Sequence, residues 1–204
     1  MITLVISLRE SNARRQKIAE RLEAIGLSYR IVDAILGSSL PELRLTEIAP
    51  VRFMARFGRD LGPGEIGCSL SHKLALEAFL SSDDSIALIL EDDAVVPCNL
   101  IEAIGALVER LPDGWGLLKI GGIGGVRGRL VHETSYGKII HTPATTVCSH
   151  AYITSRTGAA LLLSAMLPVR FPYDIYLRDV YRHRATTYEV VPTLVEQAIL
   201  PARG

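Results

Sequence analysis

The first third of the chain alternates between apolar and amphipathic segments. Met1 to Leu8 is mostly apolar and predicts a buried strand. Asn12 to about Ile25 has helical spacing, with Gly26 as a C-terminal stop. Ser28 to Val32 predicts a second strand. A strand, a helix and a strand in this order indicate an α/β unit.

The rest of the chain continues this alternation. Apolar runs between turn residues predict strands at 86–90, 115–120, 149–154 and 186–191, and residues 129–141 predict a hairpin that turns at Gly137. Helical spacing predicts helices at about 48–57, 63–80, 97–111, 156–166 and 173–184. The pattern as a whole favours an α/β fold with helices against a sheet.

Composition narrows the class of protein. The 204 residues are 49% hydrophobic with a mean hydropathy of +0.27, which argues against disorder. The 22 basic residues balance 22 acidic ones, so no basic field indicates nucleic-acid binding. No apolar run reaches the roughly 18 residues that cross a bilayer, and no signal-peptide cleavage pattern follows the first strand.

The cysteines fit neither of the two structural roles that cysteine clusters usually have. Cys68, Cys98 and Cys148 are widely spaced and odd in number. This pattern is typical of neither a disulfide framework nor a zinc site. We therefore expect a soluble, reduced, intracellular protein.

Three acidic residues follow a continuous apolar run. Residues 87–90 are apolar on both faces of the predicted strand, and Glu91, Asp92 and Asp93 come directly after them. In an open α/β sheet, ligands bind at the carboxyl ends of the strands. Carboxylates gathered there repel one another unless a cation or a basic partner is present, and Mg2+ and Mn2+ take such oxygen ligands and bridge them to phosphates. The alternative is an acidic loop that caps the next helix.

Two other protein classes carry acids after an apolar strand. Response-regulator receivers need a phosphoacceptor aspartate a few dozen residues later, and Asp113 comes too soon and lies in a Pro-Asp-Gly turn. Haloacid-dehalogenase-type phosphatases use Asp-x-Asp with a nucleophilic first aspartate, where this chain has Glu91. Both interpretations are weakened, and a metal-dependent phosphohydrolase stays as a further alternative.

The glycine-rich segment Gly121 to Gly128 does not match a dinucleotide-binding loop. A Gly-x-Gly that begins at Gly122 requires a third glycine at the position of Arg127. The segment also leads into a predicted strand, whereas a pyrophosphate site needs a helix N-terminus. We expect a loop beside the site or a plain turn.

Two helices offer polar side chains on inward faces. Arg14 shares a face with Ile18 and Leu22, which places it to reach a ligand at the sheet edge, whereas Arg15 is expected to point elsewhere. The alternative for Arg14 is a stem on the core and a head in water. His72 is either a ligand or a hydrogen-bonded core histidine, and Ser71 beside it either contacts a ligand or bonds back to its helix.

Asp174 stands at the start of the last predicted helix. It is a candidate functional carboxylate or simply an N-terminal cap. The same helix carries four basic residues that either meet phosphates or form a solvated face, namely Arg178, Arg182, His183 and Arg184.

Several segments together resemble glycosyltransferase family 25, the bacterial lipooligosaccharide glycosyltransferases and their collagen galactosyltransferase relatives. The blocks from 64 to 72 and from 88 to 93 are the most specific. In order along the chain, the matching segments are Val5–Leu8 with Arg14-Arg15, Ile31–Ala34, Gly64–His72, Leu88–Asp93, Ser149–Ala159, Pro172–Asp174, and Pro192 with Val195–Gln197.

The resemblance implies a GT-A-like nucleotide-diphospho-sugar transferase fold, with a Rossmann-like mixed sheet flanked by helices. It implies a single domain, with residues 1–120 binding the nucleotide sugar and 121–204 facing the acceptor. It implies an inverting enzyme with a UDP-sugar donor, commonly UDP-galactose, a saccharide or glycolipid acceptor such as a lipooligosaccharide core, and Mn2+ or Mg2+. The implied metal ligands are Asp93 and Glu91. We expect Asp174 to act as the base. The implied substrate-binding residues are Ser7, Arg14, Asp33, Ala34, Ser71, His72, Glu91, Asp92 and His150.

Two departures from the family pattern lead to an alternative. Ser7 stands where the family usually has asparagine, and relatives commonly continue for several dozen residues beyond the position of Gly204. Because that further segment often helps to close the donor site, the alternative is a non-catalytic module that binds a nucleotide sugar or a partner. The expected location is the cytoplasm, and a lipid-linked acceptor would bring the chain to the inner face of the membrane.

Overall fold

The apolar runs of the sequence become the strands of a mixed sheet. The computed structural model describes residues 1–40 and 58–198, and the helix predicted at 48–57 lies outside them. The strands are β1 (Ile2–Ser7), β2 (Arg30–Asp33), β3 (Ile86–Glu91), β4 (Ala94–Val95), β5 (Leu117–Lys119), β6 (Arg129–Thr134), β7 (Gly137–His141), β8 (Ala151–Ser155), β9 (Thr187–Val191) and β10 (Glu196–Gln197). The helices are α1 (Asn12–Ala24), α2 (Pro63–Leu80), α3 (Leu100–Val108), α4 (Arg156–Met166), α5 (Tyr173–Arg178) and α6 (Val180–His183), with a 3-10 turn at Gly37–Ser39.

The sheet mixes parallel and antiparallel pairs. Within the described ranges, eight strands form one sheet in the order β2-β1-β3-β8-β5-β9-β7-β6, and β4 pairs separately with β10. β1 runs parallel to β2 and β3, whereas β8 is antiparallel to both of its neighbours, β3 and β5. β9 is parallel to β5, and the predicted hairpin, β6 with β7, completes the sheet. The prediction of an α/β fold with a mixed sheet is confirmed.

Helices cover both faces of this sheet. Leu88 and Leu90 of β3 belong to a core cluster with α1 and α3, and Ala87 and Ile89 belong to a second cluster with α2, α4 and α5. Successive side chains of a strand point to opposite faces, so an unbroken apolar run fits a strand that is covered on both sides. All four side chains are fully buried, as the sequence predicts.

Two predicted helices differ from the structure. The helix expected at 173–184 is two short helices, because the backbone of Asp179 leaves the helical region (φ −85°, ψ 79°) and pairs with Ala144. The helix is therefore interrupted at Asp179, where pairing with a distant segment of the chain takes the place of the next helical hydrogen bond. The helix expected at 97–111 is the shorter α3, which begins after Asn99. No helix in residues 1–40 or 58–198 is both long and apolar enough to span a bilayer.

Strand direction brings distant segments to one edge of the sheet. β1, β2 and β3 are parallel and end there at Ser7, Asp33 and Glu91. Because β8 is antiparallel to β3, it begins at the same edge, and the amide of Glu91 donates to the carbonyl oxygen of His150 at 2.9 Å. The carboxyl edge thus collects residues that are up to about 140 positions apart in the sequence.

Candidate active site

Glu91, the first residue of the acidic triplet, is held by two side chains. His72 Nε2 lies 3.2 Å from its Oε1, and the Ser149 hydroxyl donates to the same oxygen at 2.6 Å. Burial opposes ionisation of Glu91, but the contacts with His72 and Ser149 outweigh it and hold the pKa below its ordinary value. The sequence did not single out Ser149, although it lies in one of the segments that carry the family resemblance.

His72 begins a series of hydrogen bonds that includes two tyrosine hydroxyl groups. Its ring is fully buried, Nδ1 lies 3.1 Å from the Tyr152 hydroxyl, and that hydroxyl lies 2.9 Å from the hydroxyl of Tyr173. The His72 and Tyr173 rings stack with centroids 4.0 Å apart. Since a carboxylate only accepts, Nε2 carries the proton toward Glu91 when the ring is neutral, and Nδ1 accepts from Tyr152. His72 is therefore a hydrogen-bonded buried histidine that also reaches the acidic triplet.

Asp92 pairs with one residue of β1 and one of α1. The Ser7 hydroxyl donates to Oδ2 at 2.6 Å, and Arg14 Nη1 lies 3.1 Å from Oδ1. Burial raises the pKa of Asp92, and the hydrogen bond from Ser7 and the charge of Arg14 limit that rise. Arg14 therefore reaches the carboxyl edge of the sheet, and its contact with a ligand stays a prediction.

Asp93 keeps one carboxylate oxygen without a protein partner. Gln197 donates from Nε2 to Oδ2 at 3.0 Å, whereas the buried Oδ1 has no hydrogen-bond partner among residues 1–40 and 58–198. Burial and the charge of Glu91 raise the pKa of Asp93. A buried carboxylate oxygen without a donor is costly in isolation, so its surroundings fit a cation.

Asp33 lies at the rim of the site. Arg9 donates to its Oδ2 at 2.7 Å and Arg15 to its Oδ1 at 2.6 Å, and these hydrogen bonds lower the pKa of the exposed carboxyl. Arg15 also donates to the carbonyl oxygens of Ser7 and Leu8. The expectation that Arg15 points elsewhere is wrong, because its long side chain turns back over the end of β1.

A cavity of about 180 Å³ opens between β1, β3 and α2. The predicted substrate-binding residues that line it are Ser7, Arg14, Ala34, Ser71, His72, Glu91 and Asp92. Cys68 also lines this cavity, whereas Asp33 and His150 do not. Ser71 also stabilises the fold. Its hydroxyl donates to the carbonyl oxygen of Gly67 at 2.6 Å and accepts from the amide of Ile35 at 2.8 Å. It bonds back to its helix, as one of its two interpretations predicted, and also ties the chain after β2 to α2.

Asp174 lies in a second cavity, of about 270 Å³, on the other side of Cys68. Gly64 and Cys68 line both cavities, and Ser149 and Tyr173 line the second one with Asp174. The carboxylate of Asp174 accepts from the amide of Ile175 at 2.8 Å. It therefore stays in the first turn of α5 while it faces a space adjacent to the acidic triplet.

The side chains of His150 and Lys119 contact backbone carbonyl oxygens near the site. His150 is buried, and its Nε2 lies 2.9 Å from the carbonyl oxygen of Val195. Lys119 is also buried, and its ammonium donates to the carbonyl oxygens of Thr146, Val147 and Cys148. Burial lowers the pKa of Lys119 to about 8, and the negative charge of Glu189 opposes this shift. Nothing in the sequence singles out Lys119, because a lysine at the end of a strand is usually solvated.

The glycine-rich segment and the basic helix have structural roles. A Cβ on Gly121 would lie 2.5 Å from His150 Nε2, so this glycine permits a close approach, and the segment leads into β6 rather than a helix, as expected. Arg178 and Arg182 both pair with Asp179, and His183 is buried. These three side chains are thus engaged within the fold, unlike the solvated face that was one of the two interpretations.

The chain resembles known proteins over most of its length. The sequence model of glycosyltransferase family 25 (LPS biosynthesis protein) matches residues 1–119. Procollagen galactosyltransferase 1-A of Xenopus laevis is 24% identical over 205 residues, which cover 90% of this chain and 32% of that protein. The inactive glycosyltransferase 25 family member 3 of Homo sapiens is 27% identical over 186 residues, 85% of this chain and 30% of that protein. The chain spans about a third of the length of these curated relatives.

Solved structures resemble the fold. S. aureus TarS 1-349 in complex with UDP-GlcNAc superposes with a TM-score of 0.52 at 12% identity, over 99% of this chain and 59% of that one. TarS 1-349 alone gives 0.50 at 14% identity, over 97% and 60%. The fold is GT-A-like, as the resemblance implied. Because the family's sequence model matches more than half of its residues, this chain belongs to glycosyltransferase family 25.

Proposed function

We propose that the chain transfers a sugar, galactose, from a UDP-sugar to a saccharide acceptor such as a lipooligosaccharide core, with inversion at the anomeric carbon. The observation that carries this proposal is the acidic triplet, in which Asp93 keeps a buried oxygen that has no hydrogen-bond partner in the part of the chain that the structure describes. Among the relatives, a procollagen galactosyltransferase supports galactose as the sugar, and the TarS complex with UDP-GlcNAc supports a nucleotide-sugar donor.

The contacts of the three acids divide their roles. Glu91 is turned toward His72 and Ser149, and Asp92 is engaged by Ser7 and Arg14, so Asp93 is the carboxylate most open to a cation. Oxygen ligands suit Mn2+ or Mg2+. A cation held by Asp93, with Glu91 beside it, would supply charge neutralisation for the departing diphosphate.

The donor fits the cavity that Arg14 lines. Ser7 is the last residue of β1 and Arg14 lies in the first turn of α1, so both lie at the carboxyl edge of the sheet, where phosphates bind in open α/β sheets. The guanidinium of Arg14 is 26% exposed and still has donors for phosphate oxygens beyond its contact with Asp92. Asp33 and Ala34, at the end of β2, contact the nucleoside in this proposal.

Asp174 is the proposed base. It lines the neighbouring cavity, and Gly64 and Cys68 line both cavities, so an acceptor hydroxyl there can approach the donor sugar. The acceptor oxygen attacks the anomeric carbon from the face opposite UDP, the bond from that carbon to the diphosphate breaks, and the hydroxyl proton passes to the Asp174 carboxylate. UDP leaves with the electron pair of the broken bond.

Two readouts test this proposal. UDP-galactose with Mn2+ should raise the melting temperature of the wild type and of Asp174→Asn, but not of Asp93→Asn. UDP release over a panel of saccharide acceptors should fall about 100-fold or more in both variants. Asp83→Asn, at an exposed position, is the matched control. Unchanged Mn2+-dependent binding and turnover in Asp93→Asn would contradict the cation assignment.

A second candidate is a non-catalytic module that binds a nucleotide sugar. It is favoured by the relatives that carry the word inactive in their names, of which the human one is 27% identical to this chain. The melting experiment and the UDP-release experiment separate the two candidates. Stabilisation by UDP-galactose without UDP release on any acceptor supports the module, whereas release supports the transferase.

A further inference from the structure

We propose that Cys68, His72 and Glu91 form a second metal site, which shares Glu91 with the site assigned to Asp93 and takes a thiophilic divalent cation such as Zn2+. One ligand atom from each residue lies within 4.8 Å of the other two. A thiolate, an imidazole nitrogen and a carboxylate oxygen are a ligand set that zinc uses in proteins, and three protein ligands leave a fourth position open. The proposal does not depend on the sugar-nucleotide function.

The spacing of the ligand atoms suits one tetrahedral ion. His72 Nε2 and Glu91 Oε1 are 3.2 Å apart, and two ligands at zinc distances of about 2.0–2.1 Å are separated by roughly 3.3 Å in a tetrahedron. Cys68 precedes His72 by one turn of α2, so both side chains lie on the same helical face. The Cys68 thiol lies within 4.8 Å of both atoms, so a shift of at most about 1 Å brings it to the usual sulfur distance of zinc.

The hydroxyl chain behind His72 accommodates the metal-bound tautomer. When Nε2 gives its lone pair to a metal, Nδ1 carries the proton and donates to the Tyr152 hydroxyl, 3.1 Å away. The Tyr152 hydroxyl can then donate to Tyr173, since either oxygen of that pair can be the donor. The two tyrosines thus orient the ring in both tautomers, and metal-bound histidines usually have such an outer partner.

The charges around the thiol favour a cation. Glu91, Asp92 and Asp93 lie at the same edge of the sheet, so a cation beside the thiol meets several carboxylates. A thiol that coordinates zinc loses its proton. One S–H bond breaks, one Zn–S bond forms, and the proton passes to the solvent.

The three ligands line the cavity of about 180 Å³, so the open position of the ion faces that space. A water molecule or a soft donor atom of a ligand completes the tetrahedron there. Zinc in this position occupies part of the space assigned above to the donor. Inhibition of sugar transfer by Zn2+ is a consequence that rests on the proposed function.

Cobalt substitution tests the site without any sugar nucleotide. Co2+ added to the reduced protein should give a thiolate-to-cobalt charge-transfer band and the strong visible absorption of tetrahedral cobalt, and Zn2+ should abolish both. Cys68→Ser should remove the charge-transfer band and weaken Zn2+ binding by more than about 100-fold, since changes to outer partners alone cost 10–100-fold. Glu91→Gln should weaken binding by at least about tenfold.

The exposed Cys98 provides the matched control. Cys98→Ser should leave the cobalt spectrum and the Zn2+ affinity unchanged. A band that persists in Cys68→Ser overturns the proposal, as does a band that Cys98→Ser removes. Loss of the band in Asp93→Asn with retention in Cys68→Ser would place the ion at Asp93 and overturn the proposal too. None of these outcomes depends on turnover, so the failure of this site and that of the transferase are told apart.

Discussion

Gln197 donates from its side-chain amide to Oδ2 of Asp93 at 3.0 Å, across 104 positions of the sequence. The amide of Ala198 donates to the carbonyl oxygen of the same aspartate at 2.9 Å, and β10 pairs with β4 directly after the acidic triplet. Gln197 and Ala198 therefore hold the Oδ2 atom and the carbonyl oxygen of Asp93, and its Oδ1 atom is left for a cation.

Asp93→Asn should stabilise the metal-free protein at neutral pH. The pKa of Asp93 is raised by burial and by Glu91, so the folded state binds more protons than the unfolded one above the ordinary aspartate range. The stability that the protonated carboxyl contributes is lost as pH rises through that window, and asparagine avoids the loss. We expect a melting temperature about 2–4 °C higher at pH 7, for about 1 kcal/mol in a chain of this size.

The pH dependence provides the check on this prediction. The difference between Asp93→Asn and the wild type should shrink as the pH is lowered toward the ordinary aspartate range, because the wild-type carboxyl takes up its proton over that interval. Asp83→Asn, at an exposed position, should show little change at either pH. A lower melting temperature for Asp93→Asn at pH 7 would contradict the stated electrostatics.

Arg14→Gln should weaken donor binding. Arg14 lines the cavity proposed for the donor and pairs with Asp92. If that proposal holds, the loss of Arg14 removes a charge-assisted contact to phosphate of about 1.5–3 kcal/mol, or about 10–100-fold in Kd. Calorimetric titration with UDP-galactose and Mn2+ measures the change. Arg9→Gln is the control, since Arg9 is 82% exposed and pairs with Asp33 at the rim. Equal affinities in the two variants would remove Arg14 from the donor site.

Gly67→Ala should destabilise the contact between α2 and the chain that follows β2. A Cβ at Gly67 would lie 2.5 Å from the carbonyl oxygen of Ile35 and 2.8 Å from the amide nitrogen of Gly37, and neither backbone atom can yield freely. We expect the free energy of unfolding to fall by about 1–3 kcal/mol in urea.

The control for this substitution lies in another helix. Gly105→Ala in α3 adds a Cβ with nothing within 4 Å, so it should raise stability by roughly 0.5–1 kcal/mol. The same effect for both substitutions would mean that the close approach of the backbone at Ile35 and Gly37 does not require a glycine at position 67.

Lys119→Met should lose stability relative to the wild type as pH rises from 7.5 to 9.5. The pKa of Lys119 falls from 10.5 to about 8 on folding, so between these values the unfolded chain holds more protons and the wild type gains stability with pH. Methionine lacks this gain and leaves three carbonyl oxygens without their donor. The gap measured by urea unfolding should widen by about 2 kcal/mol, whereas a constant gap would mean that Lys119 titrates normally.

The sequence determined the α/β alternation, the burial of β3 on both faces and the place of the acidic triplet at its end. These features are local, because hydrophobic periodicity and capping residues act within a few turns or a few strand positions. Arg14, on the inward face of α1, contacts Asp92, and its contact with a ligand stays a prediction.

Only the tertiary structure decided which partners each acid has. Ser149 reaches Glu91 because β8 lies antiparallel beside β3, and Gln197 reaches Asp93 because β10 pairs with β4. Arg15 turns to Asp33, against the expectation from its helical position, since its flexible side chain spans the end of β1. Strand order and direction govern such contacts, and they depend on the packing of the whole sheet rather than on the spacing of neighbouring residues.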